Sequence, residues 1–142
     1  MKPILFLLAA LIAFQKVNAQ DSIRVLRQYE NDRPTTQLDS VFNIIPNAVY
    51  ISFDEGFNDS VFVTVNNVIY MDEYLKTDES NGYAGSFVIT FKDSAETEDL
   101  KIKFAKTNRY IEEKVNLKYK ALHIRKLDQW LLTYTSHFIM PQ

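Results

Sequence analysis

Residues 39–50 read DSVFNIIPNAVY and residues 59–70 read DSVFVTVNNVIY, so the chain writes nearly the same twelve residues twice, twenty positions apart. In each copy β-branched and aromatic residues flank a turn-forming pair, Pro46-Asn47 in the first and Asn66-Asn67 in the second. Val, Ile, Phe and Tyr suit the half-buried pleated surface of a strand. Pro presets its own φ, and Asn tolerates the left-handed backbone that two-residue hairpin turns demand. Each copy therefore reads as strand, tight turn, strand: 41–45 and 49–53 in the first, 61–65 and 68–70 in the second. A repeat architecture needs at least about three units at a fixed period, and the residues from Glu79 onward do not continue the pattern. Two hairpins of similar size are expected, not a solenoid.

The rest of the chain keeps the same period of two. Val61, Val63 and Val65 alternate with Phe62 and Thr64, Phe87, Ile89 and Phe91 with Val88 and Thr90, and Leu100, Ile102 and Phe104 with Lys101 and Lys103. Farther on, Val115, Leu117 and Tyr119 alternate with Asn116, Lys118 and Lys120, and Trp130, Leu132 and Tyr134 with Leu131, Thr133 and Thr135. The apolar parity changes between Tyr119 and Leu122, which predicts a bulge over 120–122. Residues 126–129 then join two final antiparallel strands. Turn-forming clusters fall at 54–59, 76–81, 92–99 and 106–109. Such spacing predicts an all-β fold, an antiparallel β-sandwich of about seven to nine strands that is Ig-like in the loose sense. Residues 22–29 fit a short helix or an irregular strand equally well, and 30–38 read as a linker.

The N-terminus, MKPILFLLAALIAFQKVNAQ, sets Lys2 before an apolar run of eleven residues at positions 4–14. A membrane-spanning helix needs about 20. With Val17 and Ala19 at the −3 and −1 positions, this is the layout of a secretory signal peptide cleaved between Ala19 and Gln20. The Ala-Gln junction resembles export signals common in one lineage of Gram-negative bacteria. The expected organisation is a signal peptide at 1–19, an N-terminal segment and linker at 20–38, and a β-sandwich domain at 39–142. The expected location is periplasmic or secreted, with a mature chain that does not span the membrane. There is no cysteine, so disulfides and an acylated-Cys lipoprotein anchor are both excluded, and the domain must be held by its core.

The residues supply poor material for catalysis. His123 and His137 are the only histidines, on or beside different late strands, and no Gly-flanked Ser resembles a nucleophile elbow. Acidic neighbours abound, as in Glu98-Asp99 and Glu112-Glu113, but adjacent residues in a strand point to opposite faces and do not converge. Acids in the loops at 54–59 (Asp54, Glu55, Asp59) and 77–82 (Asp78, Glu79) could converge on calcium. Neither loop has EF-hand spacing, so both read as solvated turns. No catalytic residue, metal site or cofactor is expected; the alternative from the enzyme class is a hydrolase using these loop carboxylates.

Three features bear on binding. From Gln20 to Asp99 there are fifteen acidic and five basic side chains, and from Leu100 onward three acidic and nine basic. Lys101 and Lys103 share the polar side of one expected strand, and Lys118 and Lys120 that of the next. If those strands pair, they form a basic stripe for an anionic glycan or lipid headgroup, or for the chain's own acidic half; an exported acidic protein is not expected to bind nucleic acid. Tyr70 and Tyr74 share a parity and are candidates for an exposed sugar-binding face, which makes a carbohydrate-binding module a second alternative, whereas Trp130 falls in phase with Leu132 and Tyr134 as a core residue does. Finally, Asp-Ser-apolar triplets at Ser22, Ser40, Ser60 and Ser94 resemble the acceptor of general O-glycosylation of exported proteins in that same lineage, although Asp and Ser are also ordinary turn residues. The expected function is a non-catalytic binding or structural accessory in the cell envelope, its partner an envelope protein, a glycan or an anionic lipid.

Overall fold

The period-two pattern is realised as nine strands. The computed structural model describes residues 22–30, 47–93 and 96–136. In chain order the strands are β1 (Val25–Glu30), β2 (Ala48–Phe53), β3 (Asn58–Val65), β4 (Val68–Lys76), β5 (Gly85–Thr90), β6 (Thr97–Phe104), β7 (Arg109–Asn116), β8 (Ala121–Lys126) and β9 (Trp130–Thr135). Among the described residues no helix is long and apolar enough to cross a membrane. Five strands form one sheet in the order β1-β9-β8-β2-β5, and four form the other in the order β4-β3-β6-β7. The apolar parity of both sheets meets in a single core, with Val61, Val63, Leu100, Ile102 and Ile111 from one side and Val49, Ile51, Phe53, Leu122 and Leu132 from the other, all essentially solvent-free. Each such side chain contributes about 1.5–3 kcal/mol by leaving water, which is how a chain without disulfides holds together. The fold is the expected β-sandwich.

The second copy of the repeat forms its hairpin. β3 and β4 pair antiparallel around Asn66 and Asn67, whose φ angles of 48° and 65° are both left-handed, as a two-residue type I′ turn requires. Asn66 also ties the turn to β6, because its Oδ1 accepts the Asp99 N–H at 2.8 Å and its Nδ2 donates to the buried Glu98 carboxylate. The first copy behaves differently. Residues 41–45 lie outside the described residues, and over 50–53 both edges of β2 are occupied, antiparallel by β5 and parallel by β8. The same local sequence thus becomes a hairpin arm in one place and an interior strand in another. β1, formed by the residues left undecided between helix and strand, pairs parallel with β9. The five-stranded sheet is therefore mixed, its two parallel pairs joining strands remote in sequence, as parallel pairing demands.

Two irregularities fall elsewhere than expected. β7 stops at Asn116, and residues 117–120 carry the chain from the four-stranded to the five-stranded sheet. The parity change marks this crossing and not a bulge, since a strand entering the opposite layer must turn its other side to the shared core. The bulge lies in β4, where Met71 faces Val63 and Ile69 faces Thr64, leaving Tyr70 as the extra residue. In β8 and β9 the outward positions are buried as well, His123, Thr133 and Thr135 among them, so alternation in sequence is not alternation in exposure there.

The acidic neighbours on β7 diverge as strand geometry requires. Glu112 stands outward with 63% of its side chain exposed, while Glu113 turns inward at 9%. There Glu113 receives Nε and Nη2 of Arg27 on β1, the latter at 2.7 Å, and the phenol of Tyr134 on β9.

Candidate functional site

A serine, an aspartate and a histidine meet on the outer face of the five-stranded sheet. Ser52 and His123 are direct neighbours on the parallel strands β2 and β8, and Asp54 follows Ser52 by two residues, on the same face. The connectivity is not that of a nucleophilic triad, in which the histidine links serine to aspartate. Here Asp54 is the link: its Oδ1 accepts the Ser52 hydroxyl, and its Oδ2 lies 3.0 Å from His123 Nδ1 and 4.0 Å from Arg125 Nε. His123 Nε2 is buried without a hydrogen-bond partner, as is Oγ1 of Thr133, which sits opposite it on β9. The Ser52 hydroxyl is bound to the carboxylate and not to the imidazole, and through Asp54 the cluster forms a polar clamp between the end of β2 and β8. His137 lies outside the described residues, and among those residues no three His, Cys, Asp or Glu gather to hold a metal ion.

The expected basic stripe does not assemble. Lys101 and Lys103 are on β6, but Lys118 and Lys120 lie in the crossing turn and not on β7. Lys101 Nζ is 3.7 Å from Glu112, its register partner, and 4.3 Å from the Tyr110 ring centroid. Lys114 likewise reaches its partner Asp99 at 3.0 Å, while Lys118 stands over Tyr119 at 5.4 Å. Opposite charges directly across an antiparallel pair stabilise it by a few tenths of a kcal/mol up to about 1 kcal/mol, so this surface is partnered within its own hairpin.

Tyr70 and Tyr74 are both exposed but do not form one platform. The bulge takes Tyr70 out of phase and sets its ring 5.9 Å from Phe87 on the opposite sheet, whereas Tyr74 donates its hydroxyl to Asn58 on β3. The end strands of the two sheets carry several exposed apolar side chains, Val68, Ile69, Tyr70 and Tyr74 on β4 and Val88 on β5. Among the candidate modification sites, Ser22 and Ser60 are exposed; Ser40, Ser94 and the Ala19-Gln20 junction lie outside the described residues.

At one end of the sandwich the β2–β3 loop divides two cavities. On one side a space of about 660 Å³ brings together the two acidic loops, with Glu55 and Glu79 among its lining. Thr77 joins the loops by donating to the Asp54 carbonyl at 2.7 Å and accepting the Phe57 N–H at 2.9 Å. Asp78 is held below the usual carboxylate range by the hydroxyl and N–H of Ser80, an internal turn that engages its charge. On the other side a cavity of about 240 Å³ is lined by Trp130, Phe57 and Phe104 and by the cationic Lys106, Arg109 and Lys126. Trp130 is half-buried, packed 4.5 Å from Phe104 and 5.8 Å from Phe57 by ring centroid, and Lys126 Nζ lies 5.7 Å from its own centroid. It belongs to the core, as expected, and to this cavity as well. Gly56 makes the dividing loop fit: at φ +85° a Cβ would stand 1.9 Å from the Lys126 carbonyl oxygen.

Neither the Asp54 clamp nor the cationic cavity is readable from spacing. Lys106 and Arg109 fall in one expected turn and Lys126 opens another, but that both turns and the β2–β3 loop share an end of the sandwich follows from strand order alone. Compared with known proteins, the chain matches no family model, no curated protein and no solved structure.

Proposed function

We propose that the protein is an exported, non-catalytic accessory of the bacterial cell envelope that works by contacting another envelope component through β4 and β5. The observation that carries this reading is the run of exposed apolar side chains along β4, where Val68 is 62% exposed, Ile69 63%, Tyr70 41% and Tyr74 59%, with Val88 exposed on β5, the end strand of the other sheet. Single exposed apolar residues are ordinary on any protein, whereas several along one end strand suit a contact edge. Among the described residues β4 pairs only with β3, and an end strand of this kind can extend the sheet to a partner strand. The N-terminal signal layout supports the export half of the reading.

Two measurements test it. Intact mass of exported material should give a chain that begins at Gln20, and retention of residues 1–19 would overturn export. A photo-crosslinking residue at Ile69 or Tyr74 should capture one discrete envelope component in intact cells, while the same residue at Glu96, exposed elsewhere, should not. Equal capture at all three positions, or none, would overturn the contact surface.

A further inference from the structure

Among the described residues four of the thirteen lysines and arginines pair with acids: Arg27 with Glu113, Lys101 with Glu112, Lys114 with Asp99 and Arg125 with Asp54. Of the other nine, Lys106, Arg109 and Lys126 converge on one cavity. None of the three lies within ion-pair distance of a carboxylate among the described residues, and all three line the 240 Å³ cavity beside Trp130. The chain carries a formal charge of −2, so this convergence is not the by-product of a basic protein. The nearest acid in the lining, Asp59, is committed to the backbone, its two oxygens accepting the Lys106 N–H at 3.1 and 3.3 Å. Lys106 Nζ donates to the Asn58 carbonyl, and Arg109 reaches the Ser22 carbonyl only at 3.4 Å, which leaves most of their donors facing outward.

We propose that this cavity binds a single acidic sugar unit, its carboxylate held by Lys106, Arg109 and Lys126 and its ring lying against Trp130. The chemistry of the lining matches that ligand part by part. Guanidinium and ammonium groups form the strongest hydrogen bonds to a carboxylate. An indole offers a flat apolar face with a polar edge, suited to the C–H face of a sugar ring. Asn58 and Thr107 at the margin supply donors and acceptors for ring hydroxyls. The volume falls below the roughly 300–1,000 Å³ of pockets for drug-sized ligands, so one ring fits and an extended molecule does not. The wall is pre-formed, because Gly56 is locked against Lys126 and the Lys126 N–H donates to the Glu55 carbonyl at 2.8 Å; pre-formed walls spare the ordering cost of binding. This site is separate from the contact surface on β4 and β5, and either can fail without the other.

Trp130 is the only tryptophan in the chain, so tryptophan fluorescence reports on this cavity alone. Titration with sodium galacturonate should shift its emission saturably, with affinity about tenfold or more above that for glucose or for acetate and falling as salt is added. The Arg109→Gln/Lys126→Gln double variant should lose about tenfold or more in galacturonate affinity, with far-UV circular dichroism and melting temperature unchanged because both side chains are exposed. The Lys101→Gln/Lys103→Gln pair should bind as the parent does. An absent or non-saturating response would overturn the proposal, as would full affinity in the Arg109/Lys126 variant. Equal binding of glucose would show a ring site without charge recognition, and equal binding of acetate an anion site without ring recognition; each would also overturn it.

Discussion

Tyr134 on β9 donates a 2.6 Å hydrogen bond to Glu113 on β7, and this contact crosses from one sheet to the other. The same carboxylate receives Arg27 of β1, so one inward acid joins three strands at the open side of the sandwich. Glu113→Gln removes the charge that both donors use while keeping the shape. Hydrogen bonds to charged groups are worth about 1.5–3 kcal/mol. Because Arg27 is 41% exposed, solvent screens much of its share, and the expected loss is about 2 kcal/mol in urea denaturation.

The same contact makes stability depend on pH in the alkaline range. Burial first, and the hydrogen bond to Glu113 second, push the Tyr134 phenol well above its ordinary value of 10.0. A raised folded-state pKa means that the stabilisation is complete below the unfolded value. It is lost as pH rises beyond that value, because the unfolded chain then releases a proton that the folded chain keeps. The urea midpoint should therefore fall above about pH 10. Tyr134→Phe should start lower at neutral pH and fall less steeply through the alkaline range; parallel curves for the two proteins would refute the assignment.

Gly56→Ala tests how tightly the β2–β3 loop is held. The φ of +85° alone disfavours any side chain, and the new Cβ would meet the Lys126 carbonyl oxygen at 1.9 Å, which is backbone and cannot rotate away. Strain and displacement together should cost about 3 kcal/mol or more. If galacturonate binding is also measured, it should weaken with the loss of the wall that Gly56 makes for the cavity.

The polar clamp on β2 and β8 makes opposite demands of neighbouring residues. Asp54→Ala would strip the partner from both Ser52 and the buried His123, an expected cost of about 1–3 kcal/mol. Thr133→Val removes a buried hydroxyl that has no partner and keeps the β-branched shape a strand favours, so it should leave stability equal or raise it by about 1 kcal/mol. A large loss in the valine variant would show that the hydroxyl is engaged in solution.

Residues determined what local chemistry can determine. The alternation of Val61, Val63 and Val65 and of Leu100, Ile102 and Phe104 made strands with one apolar face, because successive strand side chains point to opposite faces whatever the neighbours are. Asn66-Asn67 made a hairpin turn, because Asn accepts the left-handed φ there. The divergence of Glu112 and Glu113 follows from the same geometry. What tertiary structure alone decided is pairing between strands remote in sequence. Ala48-Val49-Tyr50 of the first copy entered the interior strand β2, while its counterpart Val68-Ile69-Tyr70 entered the end strand β4, since only strand order says whether a strand's second edge is free. The change of apolar parity after Tyr119 was visible, but a bulge and a passage between sheets write the same pattern in the chain. Lys118 and Lys120 left the expected stripe for that reason, and Tyr70 left the side of Tyr74 because one extra residue in β4 shifted its phase. Lys106, Arg109 and Lys126 converge on Trp130 only because three connections fall at the same end of the sandwich, and that proximity is created by long-range backbone pairing that no local run of residues encodes.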